Sequence, residues 1–367
     1  MRIIIDIGHP AHVHFFKNAI RILEKKGHEI TIVTKDKDVT LKLLDRYQFE
    51  YINLGKPKNG LLGKACGLLF FDRQLYKIAR HLKPDLLLGF GSPYMAHVSK
   101  VIHKPYISFW DTENARLLTW LTYPFTDTIC SPSCFRNDYG KKHIRYSGYK
   151  ELAYLHPNYF TPDDSVLEEL NISRYEKFIV VRFISLAASH DVGLTGVKDA
   201  PAFIKSLEKY GRVLISSESK INPDLEKYVL HISPDKYHSL LSYASLYIGE
   251  GGTVATESAL LGTPSIHIES TASGQATGNL CGNFLDLRDN YGLLYFYPDE
   301  GQALEMAKKI LENKNAKQEW IQKQKMLLND KSDVTKWIVD FVEHYPVSAC
   351  EYREKKSGIG SEDTLLR

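Results

Sequence analysis

The first segment whose residue types could support chemistry is a histidine-rich turn, Gly8-His9-Pro10-Ala11-His12-Val13-His14. It follows an apolar run that predicts a strand and precedes an amphipathic run that predicts a helix. A helix N-terminus keeps an imidazole unprotonated, and a neutral imidazole can act as a general base. We therefore predict His12 as the catalytic base. A helix cap and a metal ligand stay open as alternatives, although His12 and His14 fall about 200° apart on a helix.

A second candidate site lies in Ile248-Gly249-Glu250-Gly251-Gly252-Thr253-Val254-Ala255-Thr256-Glu257, where an apolar strand runs into glycines and then a helix. The backbone amides around Gly251, Gly252 and Thr253 would point outward at the start of this helix and bind phosphate. Glu257 lies one helical turn further on and could accept hydrogen bonds from ribose hydroxyls. The alternative is a glycine-rich turn followed by a solvated glutamate.

Two loops of the first half follow predicted strands and carry small or acidic residues. One contains Gly91 and Ser92, and the other contains Asp111, Glu113 and Asn114. Each could contact an acceptor or a sugar. Asp111 could equally cap the helix that follows.

In the second half, Arg182 and the polar run Ser189-His190-Asp191 follow the first predicted strand of that half. A cation and short polar side chains in this place are suited to phosphate contact. Asp191 could again be a helix cap.

A basic and apolar stretch covers residues 56–83, in which Asp72 is the single acid. Leucines and phenylalanines are interleaved with its cations, which are Lys56, Lys58, Lys64, Arg73, Lys77, Arg80 and Lys83. This combination suits an anionic membrane surface. The alternative is a partly buried helix with a solvated basic face.

The elements that must position these residues alternate between apolar, β-rich runs and longer amphipathic ones, which predicts βαβ units and parallel sheets. The pattern restarts after the polar, proline-bearing residues 156–164. We therefore predict a first domain over 1–165, a second over 166–345 whose last helix could cross back, and a disordered tail over 346–367. Two doubly wound domains predict a ligand cleft where the carboxyl ends of both sheets face each other.

Composition excludes several classes of protein. With 43% hydrophobic and 25% charged residues among 367, the chain is expected to be soluble and globular. A net charge of +3 gives no indication of a nucleic-acid partner. Five scattered cysteines, and a start without signal-peptide features, favour a reducing cytoplasm. No apolar run approaches the roughly 20 residues of a spanning helix.

The histidine-rich turn and the Gly-Glu-Gly-Gly-Thr segment resemble an archaeal-rich family catalogued as domain of unknown function 354, over nearly the whole chain. More distantly, the chain resembles the GT-B glycosyltransferases, above all those that form lipid II of peptidoglycan, and the non-hydrolysing UDP-N-acetylglucosamine 2-epimerases. This resemblance implies an α/β GT-B fold with two Rossmann-like domains.

The resemblance also implies roles for particular residues. His12 matches the proposed base of the lipid II-forming enzymes, and Glu257 matches their ribose-binding acid. Gln275 and Asn279 partly match the Gln-x-x-Asn stretch of these enzymes, but here three residues separate the two side chains instead of two. The loops with Gly91 and Ser92, and with Glu113 and Asn114, correspond to two of their loops. The epimerases carry a loop that is echoed by Asp111, Glu113 and Arg116.

We therefore expect a glycosyltransferase that moves a sugar from a nucleotide diphosphate, with UDP favoured, to an acceptor that the sequence does not name. The partners expected are a nucleotide sugar and a lipid-linked or membrane-surface acceptor. No cofactor and no metal are expected. The protein is expected in the cytoplasm or peripherally on the inner face of the membrane, and its oligomeric state stays open. One alternative is a UDP-sugar 2-epimerase, in which Glu113 and another acid would handle the proton; Asp111 is the further catalytic candidate. The other alternative is a nucleotide-sugar-binding protein without catalysis.

Overall fold

The computed structural model describes residues 1–36, 39–56, 61–113, 116–184, 194–217 and 221–357. Two compact units are formed, one by Met1–Tyr154 with the segment from Ser332 onward and one by Leu155–Lys331. The chain thus passes between the units earlier than the predicted boundary at 165, and it passes back at Ser332. Val347–Ser357 is a helix, so the prediction of disorder from residue 346 is wrong for these residues.

A seven-stranded parallel sheet forms the centre of the first unit. Its strands are β1 Arg2–Ile7, β2 Glu29–Thr34, β3 Tyr51–Asn53, β4 Leu86–Phe90, β5 Tyr106–Phe109, β6 Thr128–Pro132 and β7 His143–Tyr146. They lie in the order β3-β2-β1-β4-β5-β6-β7. The order reverses between β1 and β4, and open parallel sheets bind ligands outside the carboxyl ends of the strands at such a switch point.

A five-stranded parallel sheet forms the centre of the second unit. Its strands are β8 Phe178–Phe183, β9 Arg212–Ser217, β10 Leu246–Gly249, β11 Ser265–Ile268 and β12 Leu294–Tyr297. They lie in the order β12-β11-β10-β8-β9, with the reversal between β8 and β10. The apolar run at 229–232 also predicts a strand, but these described residues form none, and Val229 makes a single bridge with Ile215.

Helices connect the strands of both sheets and follow them. In chain order they are α1 Pro10–Lys25, α2 Thr40–Arg46, α3 Leu61–Leu82, α4 Pro93–Val101, α5 Arg116–Thr122, α6 Leu152–Leu155, α7 Ser165–Glu169, α8 Ala200–Leu207, α9 Tyr237–Tyr243, α10 Gly252–Leu260, α11 Gly282–Asp289, α12 Glu300–Glu312, α13 Ala316–Asp330, α14 Val334–Glu343 and α15 Val347–Ser357. Short 3-10 turns include Thr277–Leu280.

Helix α1 begins at Pro10, within the histidine-rich turn that was expected to precede it. Proline suits this first position because it has no amide hydrogen to leave unsatisfied. His9 is the N-cap, and its Nδ1 accepts a hydrogen bond of 3.2 Å from the Ala11 amide. The predicted alternative of a histidine that caps the helix is therefore met by His9, whereas His12 lies within the first helical turn.

Helix α14 completes the first unit by packing along α1. Its apolar face is buried, including Ile338 and Phe341. Two hydrogen bonds fix its start, from the Ser332 amide to the Ser147 carbonyl at 2.7 Å and from Thr335 Oγ1 to the Ala153 carbonyl at 2.6 Å. The last helices therefore belong to the same core as the first one.

Candidate functional site

His12 lies at the switch point of the first sheet, in the first turn after β1. Its ring stacks on Phe90 at the end of β4, with centroids 4.3 Å apart and an interplanar angle of 16°. Its Nδ1 is buried and has no hydrogen-bond partner among the described residues. A buried polar atom without a partner costs about 1–3 kcal/mol. This nitrogen is therefore a strong candidate for contact with a ligand.

The surroundings of His12 keep its ring neutral. Burial is the largest cause and lowers the pKa of His12 well below its usual 6.5. His9 lowers this pKa further, as do the more weakly acting cations Lys150 and Lys35, whereas the carboxylate of Asp111 raises it. A neutral imidazole can accept a proton, so the electrostatics agree with the chemistry expected of a base.

Asp111 and Lys150 form a buried ion pair beside this ring. Lys150 Nζ donates to Asp111 Oδ2 and lies 3.5 Å from Glu151 Oε1. Burial raises the pKa of Asp111, but the charge of Lys150 and its hydrogen bond to the carboxylate hold that pKa below its ordinary value. Asp111 is therefore ionised at neutral pH, and its charge would stabilise the imidazolium that forms when His12 takes a proton.

Lys150 and Glu151 were not predicted as site residues. They lie just after β7, a strand that was not predicted, and both are buried. The sequence does place a lysine next to a glutamate here. Lysine and glutamate are almost never buried unless they are paired, and the carboxyl ends of parallel strands are where ligands bind, so a buried pair in this position indicates a functional site.

The loop after β4 holds the residues predicted to contact an acceptor. The Gly91 amide donates to Ser108 Oγ at 3.0 Å, and the Ser92 amide donates to Tyr106 Oη at 3.1 Å. These bonds fix the loop and engage both backbone amides. An acceptor could therefore contact Gly91 and Ser92 only through atoms other than these amides.

The loop after β5 is described as far as Glu113. This residue is half-buried, and its carbonyl accepts from Asn137 Nδ2 at 2.9 Å. Asn114 lies outside the described residues, so its predicted contact with an acceptor stays a prediction.

The other two histidines of the turn have structural partners. His9 caps α1, as described above. His14 is buried with its ring centroid 5.3 Å from that of Tyr154, and its Nδ1 lies 3.4 Å from Tyr47 Oη. Within the part of the chain that the structure describes, no group of three or more histidine, cysteine or acidic side chains is arranged to hold a metal ion.

In the second unit, the glycine turn after β10 lies at the switch point of that sheet. Gly249 adopts φ +149°, and a Cβ there would lie 2.3 Å from the Arg182 carbonyl oxygen. Gly251 is the N-cap of α10 with φ +88°, and no side chain caps this helix. The first-turn amides, including those of Gly252 and Thr253, have no acceptor within the helix. They form a candidate site for a phosphate group.

Glu257 lies on α10 and is buried, so the alternative of a solvated glutamate is wrong. Its Oε1 is 3.0 Å from Nε2 of His238, which comes from α9. His238 was not predicted, because a lone histidine in an apolar helix carries no signal for its partner. This contact fixes one end of the carboxylate and restricts the directions in which it can accept further hydrogen bonds.

The remaining predicted nucleotide contacts are distributed along the same edge of the second sheet. Arg182 is the penultimate residue of β8, where its Nη1 donates to Ser216 Oγ at 3.0 Å. Gln275 is exposed and Asn279 half-buried, and both lie in the connection from β11 to α11. Ser189 and His190 lie outside the described residues, so their predicted contacts with phosphate stay predictions.

Comparison with solved structures identifies the fold. A UDP-GlcNAc 2-epimerase from Neisseria meningitidis, bound to UDP-GlcNAc, covers 94% of this chain with 100% of its own, at a TM-score of 0.66 and 14% identity. A glycosyltransferase from Streptomyces sp. SF2575 covers 94% with 100% of its own, at a TM-score of 0.58 and 13% identity. These likenesses confirm the predicted GT-B fold.

Comparison of sequences identifies the family. An uncharacterized protein of Methanocaldococcus jannaschii is 27% identical over 279 residues, which are 71% of this chain and 80% of that protein. The family described as "Protein of unknown function (DUF354)" matches residues 1–345. The resemblance predicted from the histidine-rich turn and the glycine segment is thereby confirmed, and the chain belongs to the DUF354 family.

Proposed function

We propose that this protein transfers a sugar from a nucleotide diphosphate to an acceptor hydroxyl, with His12 as general base. The observation that carries the proposal is the buried Nδ1 of His12, which has no partner among the described residues and lies at the switch point of the first sheet. Burial also lowers the pKa of this ring, which favours its neutral form. The ionised carboxylate of Asp111 lies beside it. A base next to an anion is suited to deprotonate a hydroxyl group.

In the proposed reaction, His12 removes the proton from the acceptor hydroxyl while its oxygen attacks the anomeric carbon of the sugar. The bond between that carbon and the diphosphate oxygen breaks, and the nucleotide diphosphate leaves with the electron pair. Attack from the opposite side inverts the anomeric centre. Asp111 stabilises the imidazolium by its charge, and Lys150 keeps Asp111 ionised and in place.

The nucleotide is assigned to the second unit. Amides at the start of α10 would bind the diphosphate, with Arg182 as a nearby cation, and Glu257 would accept hydrogen bonds from the ribose. UDP is the favoured nucleotide because the similar epimerase from Neisseria meningitidis is bound to UDP-GlcNAc. The supporting feature in this chain is the uncapped helix start at the switch point between β8 and β10.

A second candidate function is epimerisation at C2 of a UDP-sugar. The similarity to UDP-GlcNAc 2-epimerases favours it, and Glu113 with Asp111 or another acid would then move the proton. A third candidate is binding of a nucleotide sugar without catalysis.

Product analysis distinguishes the three. The purified protein would be incubated with UDP-sugars, alone and with a panel of soluble and lipid-linked acceptors, and the products followed by NMR. A new glycosidic bond with inverted anomeric configuration is the expected result. A C2 epimer formed without acceptor would contradict transfer in favour of epimerisation. Binding of the UDP-sugar without any product would leave the third function.

We expect the acid limb of the pH–rate profile to lie well below pH 6.5, because His12 must be neutral and burial lowers its pKa. Lys150 also lowers this pKa. Lys150→Met should therefore move the acid limb toward higher pH, while Lys150→Arg, which keeps the charge, should leave it in place. The measurement is kcat/KM against pH for both variants.

The matched control for this profile is Lys104→Met, which removes an exposed lysine of the same unit that lies 4.0 Å from Asp85. It should not change the profile. An acid limb that is the same in Lys150→Met as in the wild type would show that Lys150 does not act on the titrating base.

A further inference from the structure

Exposed apolar side chains lie on two helices of the first unit, α3 and α5, which both pack against α4. We call this set the apolar patch; its members are Leu69 and Phe70 on α3 and Leu117, Leu118 and Trp120 on α5, with between 39% and 74% of each residue exposed. Single exposed apolar residues are common on protein surfaces, but a group of this size is typical of a binding surface.

The α3 half and the α5 half of the patch lie at the same position along α4, which packs against both helices. The ring nitrogens of its His97 lie 3.1 Å from Asp72 Oδ2 on α3 and 3.3 Å from the Leu121 carbonyl on α5. Leu69 lies one helical turn before Asp72, and Leu118 lies one turn before Leu121. The two leucines therefore lie on either side of α4 at the same level along it, so the two halves of the patch flank this helix.

The patch lies beside the loop that follows β4. A Cβ built on Gly91 would be 3.0 Å from Leu118 Cδ2. This loop continues directly from Phe90, on which the His12 ring stacks. The patch is therefore close to the carboxyl end of the first sheet, where the candidate base lies.

Basic side chains continue the exposed face of α3 beyond the patch. Arg73, Lys77 and Arg80 are exposed and follow Phe70 at helical spacing, so they form a row on the same side of the helix. We call these three residues the basic row. Asp72, the acid of this helix, is held by His97. An apolar surface next to a row of cations is complementary to the headgroups and outer acyl region of an anionic bilayer.

We propose that the apolar patch and the basic row bind the surface of an anionic lipid bilayer. The apolar side chains enter the interfacial region, and the cations lie at the lipid phosphates. A second copy of the chain fits this surface less well, because the single acid of α3, Asp72, is paired with His97 and offers the basic row of another copy no counterpart. None of the described helices is long and apolar enough to cross a membrane. Surface binding requires no such helix and does not depend on sugar transfer.

Sedimentation with vesicles tests the proposal. At low salt the protein should bind vesicles of equal parts phosphatidylglycerol and phosphatidylcholine, and it should bind phosphatidylcholine alone far more weakly. Changing the basic row to glutamine, as Arg73→Gln, Lys77→Gln and Arg80→Gln together, should weaken anionic binding about 100-fold. Leu69→Ser with Trp120→Ser should weaken it at least about 10-fold. All five positions are exposed, so circular dichroism should be unchanged.

The control changes two exposed apolar residues of the second unit, Tyr175→Ser and Met326→Ser, and should leave vesicle binding as in the wild type. Equal binding to both vesicle types, or no loss when the basic row is replaced, would overturn the proposal. Analytical ultracentrifugation tests whether a second copy of the chain binds the patch instead. A wild-type dimer that Leu69→Ser with Trp120→Ser dissociates would identify the patch as an interface between copies and would also overturn it.

Discussion

Replacing His12 by alanine is expected to lower the rate of sugar transfer by about 10²–10⁴-fold, which is the usual cost of losing a general base. Donor affinity should change little, because the proposed nucleotide contacts come from residues around Gly252 and Glu257. Turnover would be followed by product formation and donor affinity by calorimetry. Wild-type turnover in the folded variant would eliminate the role of His12 as base.

The neighbouring histidines are matched controls for this variant. His14→Ala removes a ring packed against Tyr154 and should act mainly on stability. His9→Ala removes the cap of α1 and should cost about 0.5–2 kcal/mol of stability, with a smaller effect on turnover. Equal loss of turnover in all three variants would favour a bound metal or a folding defect instead of a base.

Replacing Glu257 by alanine is expected to weaken nucleotide-sugar binding by roughly 10–150-fold, since a hydrogen bond to a charged group contributes about 1.5–3 kcal/mol. The same change removes the carboxylate that His238 contacts at 3.0 Å. We therefore expect a lower melting temperature as well. Glu257→Gln keeps an acceptor for His238 and should show a smaller loss of both affinity and stability. Calorimetry with a UDP-sugar and thermal unfolding measure the two effects.

The control for Glu257 is Glu305→Ala, which removes an exposed glutamate from α12 of the same unit and should leave affinity unchanged. Unchanged affinity in a folded Glu257→Ala variant would contradict the assignment of the nucleotide to the start of α10. A loss of stability without a loss of affinity would indicate that Glu257 serves only to hold α9 against α10.

Most strands could be predicted to within one or two residues because parallel strands that are covered on both faces form continuous apolar runs. β1, with five of its six residues buried, is an example. β7 was missed because its His143 is polar, although it is buried. The structure explains this burial by the bond between His143 Nε2 and Ser131 Oγ at 2.7 Å. Such a partner cannot be recognised from the local pattern.

The candidate site could be predicted where its residues lie directly after a strand in the sequence. His12 and Glu257 both follow a strand end and a glycine-containing turn, and this arrangement is visible in the sequence. Lys150 and His238 were missed because each meets its partner only through tertiary packing. Lys150 comes from the end of β7 to reach Asp111 after β5, and His238 reaches Glu257 from a different helix. Such contacts depend on how strands and helices that are distant in the chain pack together, and this packing cannot be read from a single sequence.

The return of the chain to the first unit at Ser332 has a consequence for biosynthesis. Residues 155–331 are contiguous, so the ribosome synthesises the whole second unit before it makes α14. Until then, the surface of α1 that α14 covers has no partner from that helix. Multidomain proteins usually complete their N-terminal domain first during translation. In this protein we expect the opposite order, in which the second unit folds before the first unit is complete. Until α14 is synthesised, the surface of α1 that it covers is accessible to chaperones.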